Sequence, residues 1–243
     1  MSERPPFAEL VPPPGSGRIF RYPMRPGLAD VIGDGRDGRA RLDAIARWLQ
    51  DAAFLDLVDA GFEGRGGWLV RRSRIRVERF PRFADELEVA TFCSGLGRFC
   101  AERRTTVRGG GAGIEAAALW ICIDLDGGQP LRLPEDFVAA YSESAAGRRA
   151  TVRLRHPDPP KDAREAAWTW RASDLDLAGH VNNSHYWSPL EERLAGTEPE
   201  AIDAEIEHRS AAQPGPARIL SSGADLWVTG ADGEVQASLL SGA

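Results

Sequence analysis

Cysteine is scarce in this chain: Cys93, Cys100 and Cys122 are the whole set. An odd, sparse set excludes a disulfide scaffold and matches no zinc spacing, so no metal site is read. It fits buried free thiols in a reducing cytoplasm. No window reaches the roughly 18 apolar residues that span a bilayer. The opening MSERPPFAELVPPPGSG has no apolar core of the kind a secretory signal needs. Basic surplus is also missing. The net charge is -6, a poor match for a nucleic-acid partner. There is no G-x-S-x-G elbow and no written Ser-His-Asp triad.

What is present is an ordinary globular composition, 243 residues with 42% hydrophobic and 27% charged. That length suits one large domain or two of about 120 residues. Residues 1–150 carry 22 Arg and 21 acidic residues. Of the totals of 30 and 36, this leaves 8 basic and 15 acidic residues for 151–243, so the acidity sits in the last third. The stretch RRSRIRVERFPR (71–82) reads either as a solvated strand face or as a dock for an acidic partner through Arg71, Arg72, Arg74 and Arg76.

Residues 40–60 place Ile45, Trp48, Leu49, Ala52, Leu55 and Val58 at helical spacing, with Gly61 where a C-cap belongs. The helix is apolar over more than a narrow stripe, so it should be well buried against a sheet. Strand-like runs follow at 68–80, 85–93, 98–108 and 114–125, punctuated by glycine, as antiparallel neighbours joined by short turns would be. A polar, Pro-rich connection follows, and then the order repeats. A strand at 166–172 leads to a short helix near 182–195 and strands at 202–209, 217–222, 224–229 and 234–240, the last two flanking the hairpin loop 230–233. Helix and meander, twice, indicates a duplicated α+β unit. The divisions are an extended or disordered lead (1–17), a first unit (18–147), a linker (148–165) and a second unit (166–243).

The stretch SDLDLAGHVNNSHYW (173–187) carries Asp174, Asp176, His180, Asn182 and Asn183 between the strand and the short helix. Asn182 or Asn183 suits an N-cap. N–H groups at a helix start stabilise a developing oxyanion. Asp176 just upstream is placed to be a general base or a nucleophile, with His180 to orient water, bond the carboxylate or relay a proton. Hydrolysis of a thioester needs no more than that. The same residues also suit plain Asx turns and a helix cap.

DLDLAGHVNN with Tyr186 resembles the motif D-x-D-x-N-x-H-V-N-N-x-x-Y of the acyl-acyl carrier protein thioesterases, which have the hot-dog fold. The helix at LDAIARWLQDAAFLDLVDAGF and the strands WLVRRSRIRVERFPRFADELEVATF and AALWICID are similar to that family too, so the resemblance runs from about residue 18 to 240. It implies tandem hot-dog domains, each a long helix wrapped by an antiparallel sheet, and release of free fatty acid from acyl carrier protein in fatty acid biosynthesis. It implies Asp176 and His180 as catalytic residues, Asn182, Asn183 and Tyr186 as substrate-binding, no cofactor, and an N-terminal unit that houses the acyl chain. The turn GDGRDGRAR (33–41) of that unit has no His and no paired Asn. The tandem units form an internal pair, which fits a monomer or a homodimer. The chain departs from the family at Ala178, where the family has Asn, at Ala211 or, with a shift of two, Arg209, where it has Glu, and at Pro189, where it has Trp. The core DLAGH is similar to acyl-CoA thioesterases of the hydroxybenzoyl type, and the departures also suit a non-catalytic acyl-binding protein. Trp48 or Trp68 is a candidate limit on acyl length.

Overall fold

A computed structural model describes residues 5–33, 38–125, 127–197 and 199–242, so residues 34–37 of the glycine-rich turn at 33–41 lie outside the description. Strand β1 (Phe20–Met24) and the two-residue strands β2 (Val31–Ile32) and β3 (Arg39–Ala40) lead to helix α1 (Leu42–Asp59). Then come β4 (Gly67–Arg79), β5 (Leu87–Leu96), β6 (Cys100–Gly109), β7 (Ala112–Ile123) and helix α2 (Glu135–Ala145). The second half holds β8 (Arg164–Trp170), a 3-10 turn at Asn183–Trp187, helix α3 (Ser188–Arg193), β9 (Ile202–His208), β10 (Gly215–Ser222), β11 (Asp225–Gly230) and β12 (Val235–Ser241).

Ten of these strands make one sheet, ordered β1-β5-β6-β7-β4-β9-β12-β11-β10-β8. All its pairings are antiparallel, and the halves join where Arg72–Val77 of β4 run against Glu207–Ile202 of β9. Each half has the same order. The strand ahead of its helix lies at the outer edge, the strand after its helix lies at the centre, and a three-strand meander fills the space between. An 18-residue helix forms from a segment without Gly or Pro and ends where Gly61 takes φ +76°, a conformation that glycine adopts without strain.

One sheet face holds the main core. Leu42, Ile45, Trp48, Leu49 and Ala52 of α1 pack with Ile75 and Val77 of β4, Val89, Val107, Ile114, Ile206 and Leu239. Helix α2 carries Phe137, Tyr141 and Ala145 at helical spacing into a second cluster with Phe62, Cys93, Ala101, Cys122 and Leu133. Asp56 of α1, fully buried, ties this end together. It accepts from Arg18 Nε (2.7 Å), Arg103 Nη1 (2.5 Å) and the Tyr141 hydroxyl (2.9 Å).

Three expectations need correction. The second half has no long helix. Its chain winds as a 3-10 turn and then six α-helical residues, with Pro189 in the first α-helical turn, where the missing N–H is tolerated. Helix α1 is not buried along its whole length, since Phe54, Leu55 and Val58 are exposed near its end. The arginines of β4 do not form an open basic face. Strand alternation puts Arg72, Arg74 and Arg76 opposite Ile75 and Val77, as spacing requires. That face is covered by two extended segments, residues 5–14 and 153–158. Ala8 N–H donates to Glu205 (2.5 Å), Arg74 donates to the Ala8 carbonyl (2.6 Å), and Arg104 donates to the Val11 carbonyl (3.0 Å). Beneath them Arg72 is buried 3.8 to 3.9 Å from Glu102, Glu205 and Glu207, and Arg74 holds Asp203 through two hydrogen bonds. Arg71 donates to the carbonyls of His208 and Arg209. Arg76 alone of the four is exposed, 3.6 Å from Glu78.

Candidate active site

Strand β8 ends at Trp170, and the chain turns tightly before the second helical segment. Leu175 and Val181 pair as an isolated antiparallel bridge, which closes the loop 176–180. Asp176 N–H donates to the His180 carbonyl (2.9 Å), and Gly179 N–H donates to the Asp176 carbonyl (3.0 Å). Gly179 stands at φ +74°, where a Cβ would be strained. The Asp176 Oδ1 accepts from Ala178 N–H at 2.9 Å and more weakly from His180 N–H at 3.4 Å. Asp176 is therefore exposed, with one oxygen committed to its own Asx turn and the other without a partner among the described residues. The His180 ring is half-buried and makes no hydrogen bond among the described residues.

Asn182 is the N-cap. Its Oδ1 accepts from Ser184 N–H (2.9 Å), and its own N–H donates to the Asp174 carbonyl (2.8 Å). The N–H of Asn183, the first helical residue, has no acceptor among the described residues. Tyr186 is buried. Its hydroxyl oxygen accepts from Ala212 N–H (3.0 Å), and Val181 N–H donates to the Ala212 carbonyl (3.0 Å). This brings the 209–214 loop, with Ala211, against the motif. Burial pushes the Tyr186 phenol up to about 12, so it stays protonated and is a poor proton acceptor. Behind it stands His208, edge-on at 5.1 Å, pushed down to about 3 by burial and by the Arg71 charge. Its Nε2 has no partner among the described residues.

The structure thus joins Asp176, His180, Asn182 and Asn183 in one turn, with Tyr186 as its internal strut rather than an open contact. Sequence reasoning missed Gln50 of α1. Its Nε2 donates to Asn182 Oδ1 (3.0 Å) and to Asn183 Oδ1. The available signal was a polar residue next to the buried run Trp48–Leu49. One residue on, Asp51 lines a cavity of about 260 Å³ with Tyr22, Met24, Trp48, Phe54 and Leu55. Desolvation beside these apolar groups raises the Asp51 carboxyl, against the pull of Arg47. Trp68 lies elsewhere, in the α2 cluster.

His156, Glu205 and Glu207 bring ligand-type atoms within 4.8 Å of one another on the covered sheet face. Glu207 accepts from the N–H groups of Arg155 and His156 at 2.9 to 3.0 Å, and Glu205 faces Ala8 N–H and the Arg72 guanidinium. Protein donors and a resident arginine already compensate these charges, so the cluster reads as a clamp for the two covering segments.

The fold is an antiparallel ten-stranded sheet with a helix on one face, and an acid-histidine-asparagine turn feeds a second helical segment beside it. The chain matches the acyl-ACP thioesterase N-terminal domain over residues 30–141 and the acyl-ACP thioesterase C-terminal domain over residues 158–215, and it belongs to that family of thioester hydrolases. It is 29% identical over 187 residues to an uncharacterized protein of Mycobacterium tuberculosis, covering 76% of this chain and 74% of that one. It is 27% identical over 206 residues to the chloroplastic palmitoyl-acyl carrier protein thioesterase of Arabidopsis thaliana, covering 73% of this chain and 49% of the plant enzyme, about half its length. Among solved structures, the 12:0-ACP thioesterase from Umbellularia californica superposes with a TM-score of 0.70 over 97% of this chain and 98% of that one, at 20% identity. An acyl-ACP thioesterase from Bacteroides thetaiotaomicron gives 0.70 over 92% and 96%, at 19% identity. No described helix is long and apolar enough to cross a membrane.

Proposed function

We propose that the chain is built as tandem hot-dog domains, residues 18–147 and 166–243, and releases free fatty acid from acyl carrier protein in fatty acid biosynthesis. The observation that carries this reading is the continuity of the site. The Asp176–His180 turn runs directly into the Asn182-capped segment, which lies against α1, and the next turn of α1 lines an apolar cavity. The repeated strand order supports the duplication.

In this reading the acyl chain enters the cavity beside Trp48, Met24 and Tyr22, and the thioester carbonyl lies by Asn183. Asp176, through its uncommitted oxygen, takes a proton from water as the water oxygen bonds to the carbonyl carbon. The oxyanion accepts from Asn183 N–H and from the asparagine side-chain amides. Collapse breaks the C–S bond, and the departing thiolate takes the proton that Asp176 accepted, which returns Asp176 to its carboxylate. His180 orients the water. Tyr186 holds the 209–214 loop in place.

Thiol release from matched acyl-ACP and acyl-CoA thioesters tests both activity and carrier. Asp176→Asn is expected to lower kcat at least ~100-fold; wild-type turnover in that variant removes Asp176 from the mechanism. A second reading, an acyl-binding protein without turnover, is favoured by one fact: Asp176 Oδ1 serves its own turn while Ala178 and Ala211 offer no polar side chain. Tight fatty-acid binding with no hydrolysis of either thioester would establish it.

A further inference from the structure

The two halves exchange a polar side chain. Gln50 stands eight residues past the first residue of α1, Leu42. Glu191 stands eight residues past the first residue of the second helical segment, Asn183. Gln50 reaches the start of the second segment at Asn182 and Asn183, and Glu191 reaches the start of α1, accepting from Leu42 N–H at 2.9 Å. The segments therefore lie antiparallel, with pseudo-equivalent residues doing opposite things. Both oxygens of Glu191 are consumed, by Leu42 N–H and by Arg39 at 2.7 and 3.3 Å, so that end is closed by an internal ion pair. Gln50 spends only its nitrogen. Its Oε1 has no partner among the described residues, and neither do the Nδ2 groups of Asn182 and Asn183.

We propose that Gln50 is a positioning residue for the thioesterase site, supplied in trans by the N-terminal half. It does the orienting work for which Ala178 and Ala211 have no side chain. One NH₂ has two hydrogens, and here both are directed at asparagine oxygens. Each asparagine amide is thereby fixed with its oxygen toward α1 and its NH₂ away, toward where a carbonyl oxygen develops charge. The same bond leaves the Gln50 Oε1 as a fixed acceptor next to that donor pair. An amide placed beside the apolar run of α1 is costly unless it is bonded, so packing alone does not call for one there.

This inference rests on the thioesterase reading, and the test separates the two. Gln50→Met keeps length and removes both functions. Using the acyl-ACP thioester that wild type hydrolyses fastest, its kcat is expected to fall about tenfold with KM within about threefold and the melting temperature unchanged, the scale of one lost oriented hydrogen bond. Adding Asn183→Ala to Gln50→Met should cost far less than Asn183→Ala costs alone, because Asn183 is already unpositioned. Wild-type kcat in Gln50→Met, or strict additivity in that cycle, overturns the proposal. Should Gln50→Met lower the melting temperature, the isosteric Gln50→Glu is read at pH 8. A carboxylate cannot donate to either asparagine, so a loss of similar size sustains the proposal and wild-type kcat refutes it. Asp176→Asn is run alongside. An inactive Asp176→Asn with a fully active Gln50→Met sinks the role of Gln50 alone, whereas a fully active Asp176→Asn sinks the thioesterase site itself.

Discussion

Removing the Glu191 side chain should unfasten the two halves of the molecule. Glu191 and Arg39 each keep about 8% of their side-chain surface exposed, and their bidentate contact sits where α1 begins. In Glu191→Ala the Arg39 guanidinium stays buried with the Phe80 ring 4.8 Å away and no carboxylate. Breaking a buried pair from one side costs about 3–5 kcal/mol, and losing a helix cap such as that of Leu42 N–H costs about 1 kcal/mol more. A total near ~5 kcal/mol should lower the melting temperature by about 10–20 °C for a chain of this size. Calorimetry or circular dichroism reads this directly. The double variant Arg39→Leu with Glu191→Leu should recover most of the loss, because replacing both charges with apolar groups is often neutral, and what remains is then the missing cap. A fall of only a degree or two in Glu191→Ala would refute the idea that this pair clamps α1 to the second segment. So would a double variant as unstable as the single one.

Three other outcomes follow from the site and its surroundings. Asp176→Asn should lose at least ~100-fold in kcat by thiol release with little change in melting temperature, since the side chain is exposed. Trp48→Phe should open the α1 cavity and move preference toward longer acyl chains, each newly buried methylene being worth about 0.8 kcal/mol, roughly fourfold in kcat/KM; an unchanged chain-length profile would place the acyl group elsewhere. His208 is neutral in the fold down to about pH 3, whereas in the unfolded chain it takes a proton near pH 6.5. Its folded value is depressed, so its contribution is intact above about pH 6.5 and is lost as pH falls toward 3. Unfolding free energy measured at pH 4.5 and 7.5 should differ less in His208→Gln than in wild type, by about 2–3 kcal/mol; equal differences would show that His208 does not titrate as its burial requires.

Much of the architecture was legible because it is periodic. The α1 segment and the long strands lie within a few residues of where spacing and glycine punctuation put them, and the candidate site turn is written contiguously. Helix α2 was not read, although Phe137, Tyr141 and Ala145 share a face and Glu135 and Asp136 fill the first turn. Its run is short, with only about half of its residues apolar. The Arg-rich run of β4 reads as an open face or a dock, yet Arg72 and Arg74 are covered, since nothing local says that residues 5–14 will lie over them. Gln50 and Glu191 looked like ordinary helix polars, because their partners are 132 to 152 residues away in the chain.

By itself, then, the amino-acid order determined what nearest neighbours can encode: the helix, the strands, the tight turn around Gly179 and the cap at Asn182. Tertiary structure decided which half-buried amide meets which asparagine, which carboxylate closes the far end, and that the basic strand is interior. Local backbone preference acts over a few residues, whereas burial, charge pairing and the unused valence of a hydrogen-bonding group are fixed only when distant segments pack together.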